Sequence, residues 1–170
     1  MPTLTIDESG MTFGPYKTDH VFHIEKSQTY QQKATYKIAE FLLYNPEKNE
    51  LKLFEAKSSA PKPSSSSNFD DFITEITQKL ENTLHLWFSI RLNRHQRAHS
   101  ELTHLHQNIN LSTVKIKLLL VINGFETEWL DPIKLSLNQS LKKTTTIWNL
   151  GPNPVVVLNH ELAKQHGLIQ

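Results

Sequence analysis

The chain has 170 residues, enough for one hydrophobic core, and its 38% apolar content with three Trp, eight Phe and four Tyr excludes a disordered polymer. The absence of cysteine excludes a disulfide framework and thiolate metal sites, and no stretch nears the ~20 apolar residues that cross a bilayer. A formal charge of +1 excludes a protein-wide basic surface for clamping nucleic acid and leaves room only for local patches.

With no basic, apolar leader at the N-terminus, these properties predict a single domain over 1–170, soluble, cytoplasmic and not membrane-associated. Short β-like pieces open it at Thr3–Ile6 and Met11–Phe13. Asp19–Tyr30 reads equally as a strand carrying Val21, Phe22 and Ile24 or as a short capped helix. Ala34–Tyr44 and Leu51–Lys57 are rich in β-formers and flank the polar segment 45–50, which predicts a hairpin. The Pro- and Ser-rich stretch 60–68 is an exposed connection.

From Phe69 the apolar residues Phe72, Ile73, Ile76, Leu80, Leu84, Trp87 and Phe88 recur at helical spacing, predicting a long helix capped by Asn68 and reaching toward Arg97. Val114–Asn123 reads as a buried strand closed by Gly124. A helix opened by Asp131-Pro132 follows and runs to about Trp148, with Pro at its first position. Val155–Leu158 is a short strand, and Glu161–His166 a last helix ending at Gly167. The order predicts an α/β fold with a mixed central sheet flanked by helices.

The chemistry concentrates on the hairpin. Acid-x-Lys tripeptides are common by chance among 17 acidic residues, and two occur, Glu50-Leu51-Lys52 and Glu55-Ala56-Lys57. The second ends a strand. Alternation puts Leu51, Leu53, Glu55 and Lys57 on one face, and on the preceding strand it groups Ile38, Glu40 and Leu42. With Tyr44 opposite Leu51, Leu42 meets Leu53 and Glu40 meets Glu55. Two carboxylates ~5 Å apart repel unless something offsets them, and a divalent cation does so. Lys57 is then placed to orient or help deprotonate an attacking water and to stabilise developing negative charge.

These residues resemble the PD-(D/E)XK nuclease superfamily, in which an acid on one strand and acid-x-Lys on the next build a Mg²⁺ site. The resemblance covers Glu40, Glu55, Ala56 and Lys57, and extends to the helix and core strand that follow. It differs in having Glu rather than Asp on the first of these strands, with no Pro before it. It implies a restriction-endonuclease-like core and a Mg²⁺- or Mn²⁺-dependent nuclease acting on nucleic acid, DNA foremost. Glu40, Glu55 and the Ala56 carbonyl become ligands, and Lys57 the catalytic lysine. It also implies an acid on a helix before the strands, which points to Glu25 in His23-Ile24-Glu25-Lys26-Ser27. Ser58 and Ser59 stand where phosphate contacts belong, and Arg91, Arg94 and Arg97 form the strongest basic cluster.

Two other readings accompany this one. A binding module on the same fold, inactive or completed by a partner protein or a second copy, fits the near-neutral charge. His95, His99, His104 and His106 offer a zinc alternative through an i, i+4 pair, but they lack an acid-containing zincin motif and read as solvated.

Overall fold

The computed structural model describes residues 1–33 and 35–170, leaving Ala34, the first residue of the expected hairpin strand, outside the described set. The chain opens with an antiparallel hairpin, β1 (Thr3–Glu8) and β2 (Met11–Lys17), which forms its own two-stranded sheet. The ambiguous segment after it contains both kinds of structure. A 3-10 turn at Thr18–His20 leads into β3 (Val21–Phe22), then a second 3-10 turn at Ile24–Lys26 and helix α1 (Gln28–Lys33).

The central sheet has five strands in the order β3-β4-β5-β6-β7, with β4 at Phe41–Asn45, β5 at Glu50–Lys57, β6 at Lys115–Ile122 and β7 at Val155–Asn159. The first three run antiparallel and the last three parallel, so the sheet is mixed. The hairpin register matches the sequence reading, with Tyr44 opposite Leu51 and Leu42 opposite Leu53. β4 is shorter than expected, because residues 35–40 are irregular. The pairing nevertheless continues one step, since the Glu40 N–H donates to the Phe54 carbonyl at 2.9 Å.

The long helix α2 (Ser66–Arg91) connects β5 to β6, and α5 (Leu130–Ser140) connects β6 to β7, as parallel strands require crossovers. Leu42, Leu51, Leu53, Leu118 and Leu120 pack on one sheet face with Ile76, Leu80 and Leu84 of α2 and Ile133 and Leu137 of α5. Phe41, Phe54, Ala56, Leu119 and Val121 pack on the other, under Ile6 and Phe13 of the first hairpin and Ala163 of helix α7 (His160–Gln165). Gly167, at φ +66°, ends α7 in the left-handed conformation expected of a C-terminal glycine.

Several expected boundaries move. α2 starts three residues early, with Ser65 rather than Asn68 at its N-cap, so Ser66–Asn68 leave the exposed connection and join the helix. It stops at Arg91 because Asn93, at φ +56°, turns the chain, and the shorter helices α3 (Gln96–Glu101) and α4 (His104–Gln107) follow. The helix expected to end near Trp148 breaks at Leu141 into α5 and α6 (Lys142–Ile147), and Pro132 is third, not first, in α5.

Candidate metal centre

β5 builds the floor of the site. Its alternation puts Leu51, Leu53, Glu55 and Lys57 toward α2, and Glu55, buried completely, continues the leucine row. Glu40 sits beside it, immediately before β4, and is 8% exposed. Two hydrogen bonds fix its backbone neighbourhood. Its own N–H bonds Phe54, while the preceding Ala39 N–H donates to Thr83 Oγ1 of α2 at 2.7 Å. The second 3-10 turn crosses above, where the Glu25 N–H donates to the Glu40 carbonyl at 3.4 Å and brings the Glu25 carboxyl close enough to raise the pKa of Glu40. Glu25, Glu40 and Glu55 therefore meet at one end of the hairpin.

Two amines, Lys79 of α2 and Lys57 of β5, balance part of this charge. Lys79 Nζ donates to Glu55 Oε1 at 2.7 Å, and Lys57 Nζ stands 3.7 Å from the same oxygen and 2.8 Å from Glu75 Oε1. Glu55 Oε2 is buried with no hydrogen-bond partner among the described residues.

The titration behaviour follows from this crowding. Burial, the Glu25 carboxyl and the charges of Glu55, Glu25 and Glu8 push the Glu40 carboxyl up to about 9. Burial also raises Glu55, opposed by Lys79 and Lys57. Burial pulls Lys79 down, but the Glu55 charge and hydrogen bond outweigh it, so its net direction is upward. The Lys57 hydrogen bond lowers Glu75, and burial with the nearby Lys26 lowers His23.

This donor set suits a hard divalent cation. Carboxylate oxygens are the preferred ligands of Mg²⁺ and Mn²⁺, a buried unpartnered Glu55 oxygen is available, and Glu40 otherwise needs a proton to exist beside Glu25. The Ala56 carbonyl already accepts from Ser9 Oγ at 3.0 Å, and its second lone pair is its remaining capacity.

The other expected residues divide by position. Ser58 and Ser59 follow directly on Lys57 and are exposed. Arg91 lies a dozen residues along α2 from Lys79, about 18 Å of helix rise, with its guanidinium donating to the Ile109 carbonyl at 2.8 Å. Arg94 and Arg97 are exposed beyond it, so the basic cluster stands apart from the acids. The four histidines do not converge either: His106 is fully buried, its Nε2–H bonding the His20 carbonyl at 2.8 Å, whereas His104 is exposed. Trp129 packs edge-on against Phe125 under Lys62, and Trp148 stacks on Phe88 at 4.1 Å.

Four contributors escape the strand-based reading: Lys79, Glu75, Glu8 and His23. Lys79 carried a signal, since Phe72, Ile76, Lys79 and Thr83 share one helical line and a lysine amid that buried stripe requires a partner. Glu8 arrives through docking of the first hairpin, which no local pattern encodes. Comparison with protein-family models, curated proteins and solved structures finds no match to this chain, so the site's own chemistry carries the functional reading.

Proposed function

We propose that this protein is a Mg²⁺- or Mn²⁺-dependent nuclease of the PD-(D/E)XK type, on a restriction-endonuclease-like core, hydrolysing phosphodiester bonds in nucleic acid, DNA foremost. The observation that carries the reading is Glu55. A completely buried carboxylate keeps one oxygen unpartnered, stands beside Glu40, and has two lysine amines around its other oxygen. Glu40, Glu55 and the Ala56 carbonyl would hold the cation, which when bound supplies Lewis-acid neutralisation of phosphoryl charge and acidifies water.

The chain's own groups do the rest. Lys57 offers positive charge at the end of β5 to the phosphate charge that grows during hydrolysis, and Glu75, 2.8 Å away, holds its amine in place. Glu25 braces Glu40 through its backbone N–H, which donates to the Glu40 carbonyl at 3.4 Å. Ser58 and Ser59, exposed just past Lys57, donate to non-bridging phosphate oxygens.

The Lys79–Glu55 pair favours a second reading, because it neutralises the buried acid without any metal. On that reading the fold is an inactive binding module, or one completed by a partner protein or a second copy. The deciding experiment incubates wild type, Glu55→Gln and Lys57→Ala with plasmid, linear and single-stranded DNA and with RNA, in Mg²⁺, Mn²⁺ or chelator. Cation-dependent cleavage that both variants lose supports the enzyme; equal activity in all three proteins, or none in wild type, leaves the binding module.

A further inference from the structure

Glu8, His23 and Glu25 each offer one ligand atom, and these atoms lie within 4.8 Å of one another. They come from three places: the end of β1, the residue ahead of the second 3-10 turn, and the turn itself. Specific contacts hold them together. Ser9 Oγ donates to the Ala56 carbonyl at 3.0 Å and Asn123 Nδ2 donates to the Ser9 carbonyl at 3.1 Å, so the tip of the first hairpin is tied to the ends of β5 and β6. Gly10, at φ +75°, lets this turn close on the sheet, since a Cβ there would sit 2.9 Å from Asn123 Nδ2.

Two further observations point to a ligand. His23 Nε2 is buried with no hydrogen-bond partner among the described residues, an expensive state for a ring nitrogen unless something binds it. Glu40, more than nine-tenths buried, adjoins the cluster, its carbonyl accepting from the Glu25 N–H at 3.4 Å. Two carboxyls and an imidazole meet here beside Glu40, and among the described residues no lysine forms an ion pair with Glu8 or Glu25 as Lys79 does with Glu55.

We propose that Glu8, His23 and Glu25 form a second cation position adjoining Glu40, whose mixed nitrogen and oxygen donors take a first-row transition ion such as Mn²⁺ in preference to Mg²⁺. Imidazole nitrogen is an ordinary ligand for transition ions, whereas Mg²⁺ takes oxygen and keeps its waters. The first hairpin thus serves the site directly, by delivering Glu8. This inference stands whether or not the chain cuts nucleic acid.

The test uses the full chain, stripped with chelator and titrated with Mn²⁺ under excess Mg²⁺. Pulsed electron paramagnetic resonance reads the bound Mn²⁺, because a directly bound imidazole adds a ¹⁴N coupling. The expected result is Mn²⁺ retained under Mg²⁺ excess with that coupling in wild type and in Glu55→Gln. His23→Gln should lose the coupling, and Glu8→Gln should weaken Mn²⁺ binding by at least about tenfold. A wild-type signal without ¹⁴N coupling overturns the proposal without relying on any variant's folding, as does coupling that survives His23→Gln. Coupling without cleavage removes only the nuclease reading, and Mg²⁺-dependent cleavage without coupling removes only this second position.

Discussion

The Lys79 ammonium lies 2.7 Å from Oε1 of Glu55, so a lysine set in the core stripe of α2 closes on a carboxylate with no exposed surface. This pair explains how β5 tolerates an acid in a leucine row. It also places a protein cation in competition with a metal for the same buried charge, since both offset Glu55.

Lys79→Met keeps the side-chain length and removes the charge, leaving Lys57 at 3.7 Å as the cation nearest Glu55. Breaking a buried pair strands the remaining charge, here at a cost of about 3 kcal/mol, near the lower end of the usual range because Lys57 remains. For a chain of this size that lowers Tm by about 10 °C. Mn²⁺ should restore much of the loss and raise the variant's Tm more than it raises wild type's. Thermal unfolding of both proteins in chelator and in Mn²⁺ measures this, and equal metal responses would remove Lys79 from the site.

Lys57→Ala should separate rate from stability. The Lys57–Glu75 pair is partly exposed, 23% and 34% by side chain, so losing it costs no more than about 1 kcal/mol. If Lys57 stabilises the charge that grows on phosphate, its removal slows cleavage by about 10²- to 10³-fold. Single-turnover cleavage beside a denaturant curve reads both quantities. A large stability loss with a matching activity loss would instead make Lys57 a structural residue.

The hairpin was legible because period-two alternation and a polar turn fix register, and Leu42–Leu53 and Tyr44–Leu51 pair as that logic requires. The proximity of Glu40 and Glu55 follows from the same parity. Glu25 was legible only as an acid ahead of the strands, and it reaches Glu40 from a 3-10 turn rather than a regular helix. What stayed hidden depends on contacts distant in sequence. Glu8 reaches the site because Ser9 bonds Ala56, 47 residues away, and nothing in the alternation of β1 announces that. Helix ends were shifted by local competition, as at Asn93, whose left-handed backbone stops α2 short of Arg94 and Arg97.

His106 makes stability fall in acid. Burial, partly opposed by the hydrogen bond to the His20 carbonyl, lowers its pKa from 6.5 to about 4, so the folded state holds it neutral while the unfolded chain protonates it. The unfolded state then binds more protons below 6.5, and stability drops as pH falls from about 6.5 toward 4, by roughly 3 kcal/mol in all. His106→Gln should flatten that part of the profile. Denaturant unfolding of both proteins at pH 7.5 and 5.0 measures the difference, and an unchanged slope would place the acid sensitivity elsewhere.

Glu40 acts in the opposite direction. Without a cation, its carboxyl remains protonated in the fold up to about 9, whereas in the unfolded chain it ionises near 4.5. The folded state therefore binds the extra proton between these values, and this contribution to stability, complete below 4.5, is lost as pH rises toward 9. Glu40→Gln cannot ionise, so in chelator it should be more stable than wild type at pH 8, with the gain disappearing near pH 4. In wild type a cation must displace that proton, so Mn²⁺ affinity should strengthen with pH, and the variant should bind more weakly with a shallower pH slope. Thermal unfolding in chelator and Mn²⁺ titration, both at pH 6, 7 and 8, test the two halves. Parallel stability curves for the two proteins would show that Glu40 does not hold a proton in the fold.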